Sequence, residues 1–163
     1  MIALPPAAAV AFLVATAPVA LWIAWTDLSQ MRIPNRAPLA LLALFASVGP
    51  FVLPLNVWAW QWINPVVVIG IGFVLNLRGG VGAGDAKFAA AASVFVLPPD
   101  APFVLMLLAA AVLGAVVTHR IVGRLPTLRM AGADWRSWSS PRFPMGFALG
   151  PVLVFYLAIA ALS

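Results

Sequence analysis

The sequence contains no cysteine, no glutamate and a single histidine, His119. Without cysteine there is no disulfide, no thiolate-bound zinc or iron–sulfur cluster and no thiol nucleophile, and one histidine cannot build a multi-histidine metal site. Charge is scarce as well. Only 8% of the 163 residues are charged and 64% are hydrophobic, whereas soluble domains carry roughly 25% charged residues. An ordinary water-soluble fold is excluded, and a chain of this length leaves no room for a separate soluble module. The net charge of +5 points by itself to nucleic acid or an anionic membrane; in so apolar a chain the position of the charges decides.

What is present is long hydrophobic runs. No charge precedes Asp27, and residues 4–25 are long enough, at about 20 residues, to cross the hydrocarbon core as a helix. The segment lacks the positively charged start of a cleaved signal peptide and its apolar stretch is too long for one. Between Arg36 and Arg78 nothing is charged; a single helix there measures about 60 Å, twice the bilayer core, so the stretch folds as a hairpin. Gly49, Pro50, Pro54 and Asn56 mark its turn, giving helices near 38–53 and 58–77, with Trp58, Trp60 and Trp62 suited to an interfacial belt. A second hairpin, near 86–98 and 102–119, turns at the prolines Pro98, Pro99 and Pro102, which do not fit a lipid-facing helix interior. Its short first arm suggests that the preceding glycine-rich stretch lines a protected cavity. A last helix spans 145–162. The expectation is an all-α bundle of about six transmembrane helices forming one membrane-embedded domain over residues 1–163, with Gly70, Gly72 and Gly114 letting helices approach closely.

The basic residues test this topology, because cytoplasmic loops collect Lys and Arg. All nine fall on one side: Arg32 and Arg36 in the first loop, Arg78 and Lys87 in the second, and Arg120, Arg124, Arg129, Arg136 and Arg142 in the third. Both termini are therefore predicted to be non-cytoplasmic. The third loop, with Trp135 and Trp138, reads as a segment held at anionic headgroups; nucleic acid is not expected as a partner. His119, beside Arg120 at a helix end, reads as interfacial.

Four carboxylates remain: Asp27, Asp85, Asp100 and Asp134. Asp100 falls in the outer turn and Asp134 in the solvated third loop. Asp27 closes the first helix on the cytoplasmic side, and Asp85 follows Gly79-Gly80-Val81-Gly82-Ala83-Gly84 at the cytoplasmic start of the fourth, so the two share one membrane face. Acids beside apolar spans are costly, and a pair there is a functional candidate. Two carboxylates brought together do not both ionise readily. The ionised one can then take a proton from an attacking water while the protonated one donates to the developing oxyanion, with no metal or cofactor required. The bland alternative is also open at this point: Asp is a favoured helix N-cap and Asp85 stands where a helix begins, Asp27 simply ends a helix, and the glycine run is either a flexible turn or a backbone that approaches a substrate closely.

Motifs narrow these alternatives. Asp27-Leu28-Ser29-Gln30-Met31-Arg32-Ile33-Pro34-Asn35 resembles the first aspartate motif of the type IV prepilin peptidases. Gly82-Ala83-Gly84-Asp85-Ala86-Lys87-Phe88 resembles their second, the Gly-x-Gly-Asp of a class of intramembrane aspartic peptidases. Phe143-Pro144-Met145-Gly146-Phe147-Ala148-Leu149-Gly150 is similar to the Pro-x-Gly that opens the family's last helix. The order agrees, and the resemblance covers most of the chain from Asp27 onward.

The resemblance implies an aspartic endopeptidase of a bacterial inner (cytoplasmic) membrane that cuts the short basic leader from prepilin-like precursors at the cytoplasmic face. It implies Asp27 and Asp85 as catalytic residues, with Gly82, Gly84, Lys87, Pro34, Asn35, Pro144 and Gly146 binding substrate or shaping the site. Pro34 and Asn35 also read structurally, stopping the upstream extension of helix two, with Asn35 as its cap. Lys87 has three readings: lowering the pKa of Asp85, binding a substrate carboxylate, or anchoring to lipid phosphate. The chain lacks the cysteine-containing cytoplasmic insert of longer members, so it resembles the compact form associated with Tad (Flp-type) pili, and methyltransferase activity is not expected. The implied partners are a prepilin-like membrane protein and the bilayer; the sequence sets no oligomeric state. The rival class is a non-enzymatic component of a pilus or secretion assembly, or a small ion-coupled transporter.

Overall fold

A computed structural model of the protein describes residues 2–132 and 134–163. Among the described residues the fold is all α-helical with no strand, built from six principal helices. Helix α1 (Pro6–Gln30) is followed by α2 (Arg36–Val52). The short α3 (Leu55–Gln61) runs through Trp62 almost directly into α4 (Ile63–Leu77). Then come α5 (Ala83–Ala92), α6 (Ala101–Arg124), the single turn α7 (Pro126–Arg129) and α8 (Gly146–Leu162). Three helical stretches, Pro6–Gln30, Leu55–Leu77 and Pro98–Arg124, are long and apolar enough to cross a membrane. Their burial differs: 33% of the apolar window of α1 is buried, 11% of α3–α4 and 6% of the α6 stretch. The first belongs to the interior of the bundle, and the other two present most of their side chains outward, to lipid.

Helices packed in a bilayer gain little from the hydrophobic effect and are held by close packing. Helix α8 lies along α1, its most extensive partner, and also packs on α6. A methyl at Gly150 would sit 2.6 Å from the Ala20 carbonyl oxygen, so only glycine permits this α1–α8 approach. Helix α5 is seated between α2 and α4 and packs on both, whereas α2 and α4 scarcely meet. Gly72 of α4 faces Ala86 of α5, where an added Cβ would lie 2.7 Å from the alanine methyl. Gly70 and Gly114, expected to serve in the same way, face open surface: a methyl added at either would meet nothing within 4 Å. Phe12, Phe45 and Phe95 form the aromatic centre of the core, with ring centroids 5.0–5.7 Å apart.

The helix limits depart from the sequence reading in instructive ways. Helix α1 continues to Gln30 rather than ending near residue 25, with the hydroxyls of Thr26 and Ser29 donating to carbonyls of the preceding turn. It is ended by Met31 in the left-handed region (φ 55°), whose N–H donates to the Asp27 carbonyl. The fourth helix starts at Ala83 and stops at Ala92, short of 98. Its continuation is a 3₁₀ turn at Ser93–Phe95 and a second at Pro98–Asp100, joined by extended backbone at Val96 and Leu97. The carbonyls freed there are taken up by side chains of the neighbouring hairpin: Gln61 donates to Val94 and Val96, and Asn64 to Ser93 and Val96, at 2.9–3.2 Å. Non-helical backbone is thus enclosed by protein. Trp58 and Trp62 pack against the core, with the Trp58 indole N–H donating to the Phe45 carbonyl; only Trp60 of that cluster is mostly exposed.

Asp100, placed in an outer turn by the sequence, is buried there (4% exposed). Its carboxylate accepts the N–H groups of Ala3 and Leu4 and the hydroxyl of Tyr156 at 2.7–3.2 Å. It ties the N-terminal segment, the start of α6 and α8 together at the end of α1 opposite Asp27, about 35 Å away along the helix. Asp134 is exposed.

Candidate active site

The loops that carry the basic residues converge on the other end of the bundle. Residues 31–35, 76–87 and 142–145 surround a cavity of about 780 Å³. Asp27 enters it from the last turn of α1 and Asp85 from the first turn of α5, so two acids 58 positions apart line one space.

Asp27 is almost fully enclosed, with 6% of its surface exposed. Its Oδ2 accepts the backbone N–H of Gly146 at 2.6 Å. That residue opens α8, where main-chain N–H groups lack partners within the helix. The contact demands glycine, since a Cβ there would sit 2.9 Å from Asp27 Cβ and 3.0 Å from Oδ2. Asp85 is half-buried. It is the third residue of α5 and not its cap: Gly82 occupies the cap position, and no side chain caps the helix. A methyl at Gly82 would lie 2.5 Å from Asp85 Oδ2, so this glycine too is a matter of space beside a carboxylate. The flexible-turn reading of the glycine run therefore holds for Gly79, at φ +73°, and a close approach holds for Gly82.

The three sequence segments touch one another. Gly84 of the second lies against Ile33 of the first, where a Cβ would come 3.4 Å from the Ile33 Cβ. Lys87 Nζ donates to Asn35 Oδ1 at 3.3 Å, joining α5 to the start of α2 across the cavity rim. Asn35 stands at the N-cap position of α2, yet its side chain makes no capping bond; the expected cap is replaced by this link. Gly146 of the third segment reaches Asp27 of the first.

Of the site residues expected from the sequence, Asp27, Asp85, Gly82, Gly84, Lys87 and Asn35 line the cavity. Pro34, Pro144 and Gly146 do not. Pro34 is half-buried between lining residues Ile33 and Asn35, Pro144 is fully buried, and Gly146 reaches Asp27 through its N–H. Two further lining residues are not evident from the sequence reading. Asn76, at the end of α4, donates to the Val81 carbonyl at 2.7 Å and holds the glycine loop. Arg142, assigned to the headgroup-binding loop, is part of the cavity wall. An asparagine within reach of a glycine loop was the available signal for the first; for the second the sequence offered none. His119 stacks on Trp138 at 4.5 Å within α6, which runs on to Arg124, and is not at a helix end. Among the described residues no group of His or acidic side chains is arranged to hold a metal ion.

The type IV leader peptidase family matches residues 14–119, a stretch that includes both Asp27 and Asp85, and the chain belongs to that family. No curated protein and no solved structure matches it. Its fold and family together make it a multi-pass membrane protein of a peptidase family.

Proposed function

We propose that this protein is an aspartic endopeptidase that removes the leader of type IV prepilin-like precursors at the cytoplasmic membrane face, acting as one membrane-embedded unit. The observation that carries the reading is the meeting of Asp27 and Asp85, from two separate helices, on one polar cavity at the end of the bundle where the basic loops gather. Water held between the two carboxylates attacks the scissile carbonyl. One carboxylate takes the water's proton, and its protonated partner gives a proton to the carbonyl oxygen as the tetrahedral intermediate forms; a proton then passes to the departing amine. Gly146 and Gly82 fix the two acids by leaving space beside them, and the Lys87–Asn35 link holds α5 against α2. Pro34 and Pro144 shape the site by fixing the backbone of the segments that carry Asn35 and Gly146.

The basic loops orient the chain with this end cytoplasmic and both termini on the far side, in the inner membrane of a bacterium. The compact form without an insert is that of the Tad (Flp-type) systems, with leader cleavage and no methyl transfer. An ion-coupled transporter needs an acid along a path across the bilayer, whereas Asp27 and Asp85 share one end and Asp100 is consumed by three hydrogen bonds at the other.

The test is co-expression with a prepilin-like precursor encoded nearby, read as its size on a gel. The expected result is shortening by the wild type and full-length precursor with either Asp27→Asn or Asp85→Asn. Normal processing by either variant removes that residue from the pair and refutes the two-acid mechanism.

A further inference from the structure

A second concavity opens beside the first. Between α2 and α4, with α5 as its floor, runs a groove of about 420 Å³. Its walls are apolar: Pro38, Leu39 and Leu42 on one side, Pro65, Val66 and Ile69 on the other. The floor is Ala90 and Ala91, and it exists because α2 and α4 scarcely meet while α5 packs on each. Leu39 and Val66 are 64% and 68% exposed, so the groove faces outward, to lipid.

Asn35 and Lys87 line this groove and also the cavity that holds Asp27 and Asp85. They are the only polar residues among those lining the groove, and they bond to each other at the shared rim. From that rim the groove descends along α2 as far as Leu42, about 10 Å into the bilayer at 1.5 Å per residue. The polar cavity therefore has a sideways apolar exit at membrane depth. The family resemblance implies a precursor in which an apolar helix follows the basic leader, so a peptide bond held at the two acids places that helix here. The alanine floor lets a helix backbone come close, as small residues do between membrane helices.

We infer that the α2–α4 groove seats the first turns of the substrate's apolar helix, the part just after the cleaved bond, with the Asn35–Lys87 pair marking the boundary between cleavage site and helix seat. The inference rests on the peptidase reading and adds to it where the substrate lies and which chemical class of segment it must present.

The absence of cysteine makes the test direct. Leu39→Cys, Val66→Cys and, as a control on the outer face of α6, Met106→Cys are each built into the Asp27→Asn background so that the precursor stays whole. Met106 is 72% exposed, so all three positions are comparably open. Each is reconstituted with a prepilin-like precursor carrying one cysteine at successive positions of the first two turns of its apolar helix, in phosphatidylethanolamine–phosphatidylglycerol vesicles. Disulfides are expected at 39 and 66 with a three-to-four-residue periodicity in the precursor, and not at 106. Crosslinks of equal yield at 106, or none at 39 and 66, overturn the inference; the latter leaves the groove to lipid acyl chains.

Filling the groove in the active protein supplies an independent reading. Ala90→Leu, or Leu39→Trp should the buried alanine not tolerate enlargement, is expected to slow precursor processing at least tenfold, and Met106→Trp to leave it unchanged. Unchanged processing by a folded groove-filling variant overturns the inference. A wild-type protein that leaves the precursor whole counts against the proposed function instead, and the two failures are read in different lanes.

Discussion

Gly146→Ala is the smallest change that addresses how Asp27 is held. The new methyl arrives 2.9 Å from Asp27 Cβ, 3.0 Å from Oδ2 and 3.2 Å from Cγ, whereas non-bonded carbons are comfortable at about 3.5–4.0 Å. Separation by several tenths of an ångström at three atoms cannot be absorbed by a flexible tip, because the contact begins at the Cβ of Asp27 itself. The side chain or the start of α8 must move, and the 2.6 Å bond from the Gly146 N–H is stretched or lost. A hydrogen bond to a charged group contributes about 1.5–3 kcal/mol, which at about 1.4 kcal/mol per factor of ten corresponds to a 10- to 100-fold fall in kcat. The assay is precursor cleavage by purified protein in vesicles, with thermal unfolding followed alongside. Gly70→Ala and Gly114→Ala, whose added methyls meet nothing within 4 Å, should cleave at the wild-type rate. A Gly146→Ala protein that folds and cleaves normally refutes the reasoning, as does an equal loss in the two control variants.

The other expectations follow the same geometry. Gly82→Ala puts a methyl 2.5 Å from Asp85 Oδ2 and should lower kcat by about tenfold or more, on the scale of a misplacement near 1 Å, measured in the same cleavage assay. Tyr156→Phe removes one of three donors from the buried Asp100 and should destabilise the fold by about 1–3 kcal/mol, seen as a lower unfolding temperature, while kcat at a permissive temperature is unchanged because that cluster lies at the far end from the site. Gly72→Val should weaken the α4–α5 contact and lower stability by a similar amount. Activity against pH should be bell-shaped, as a coupled pair of acids requires, and a profile identical in wild type and in any residual activity of Asp85→Asn would separate that acid from the reaction.

The sequence made the membrane bundle and the acid pair readable for a physical reason: charge is so rare in this chain that each Asp, Lys and Arg marks a boundary. Hydropathy located six helices, and the clustering of basic loops brought Asp27 and Asp85 to one end. What stayed hidden was contact between distant segments. Nothing local says that the N–H of Gly146 meets Asp27, or that Lys87 takes the side chain of Asn35 away from capping α2. Asp100 looked like a turn residue because its three donors, at Ala3, Leu4 and Tyr156, are scattered along the chain. Glycines of identical local appearance also separated by environment alone: Gly72 lies against Ala86, while Gly70, two residues earlier, points to open surface. Pro98 and Pro99 marked the turn that follows α5, but neither the earlier end of the helix at Ala92 nor its repair by Gln61 and Asn64 was legible.

Whether Asp27 and Asp85 work as one unit is tested most directly by single-turnover cleavage with wild type, Asp27→Asn, Asp85→Asn and the double variant in vesicles of one composition. Residues acting together are strongly non-additive, so each single variant should lose at least about a thousandfold in rate and the double variant no more than either. Losses that multiply in the double variant, or a single variant that retains near-normal cleavage, would contradict a shared catalytic pair.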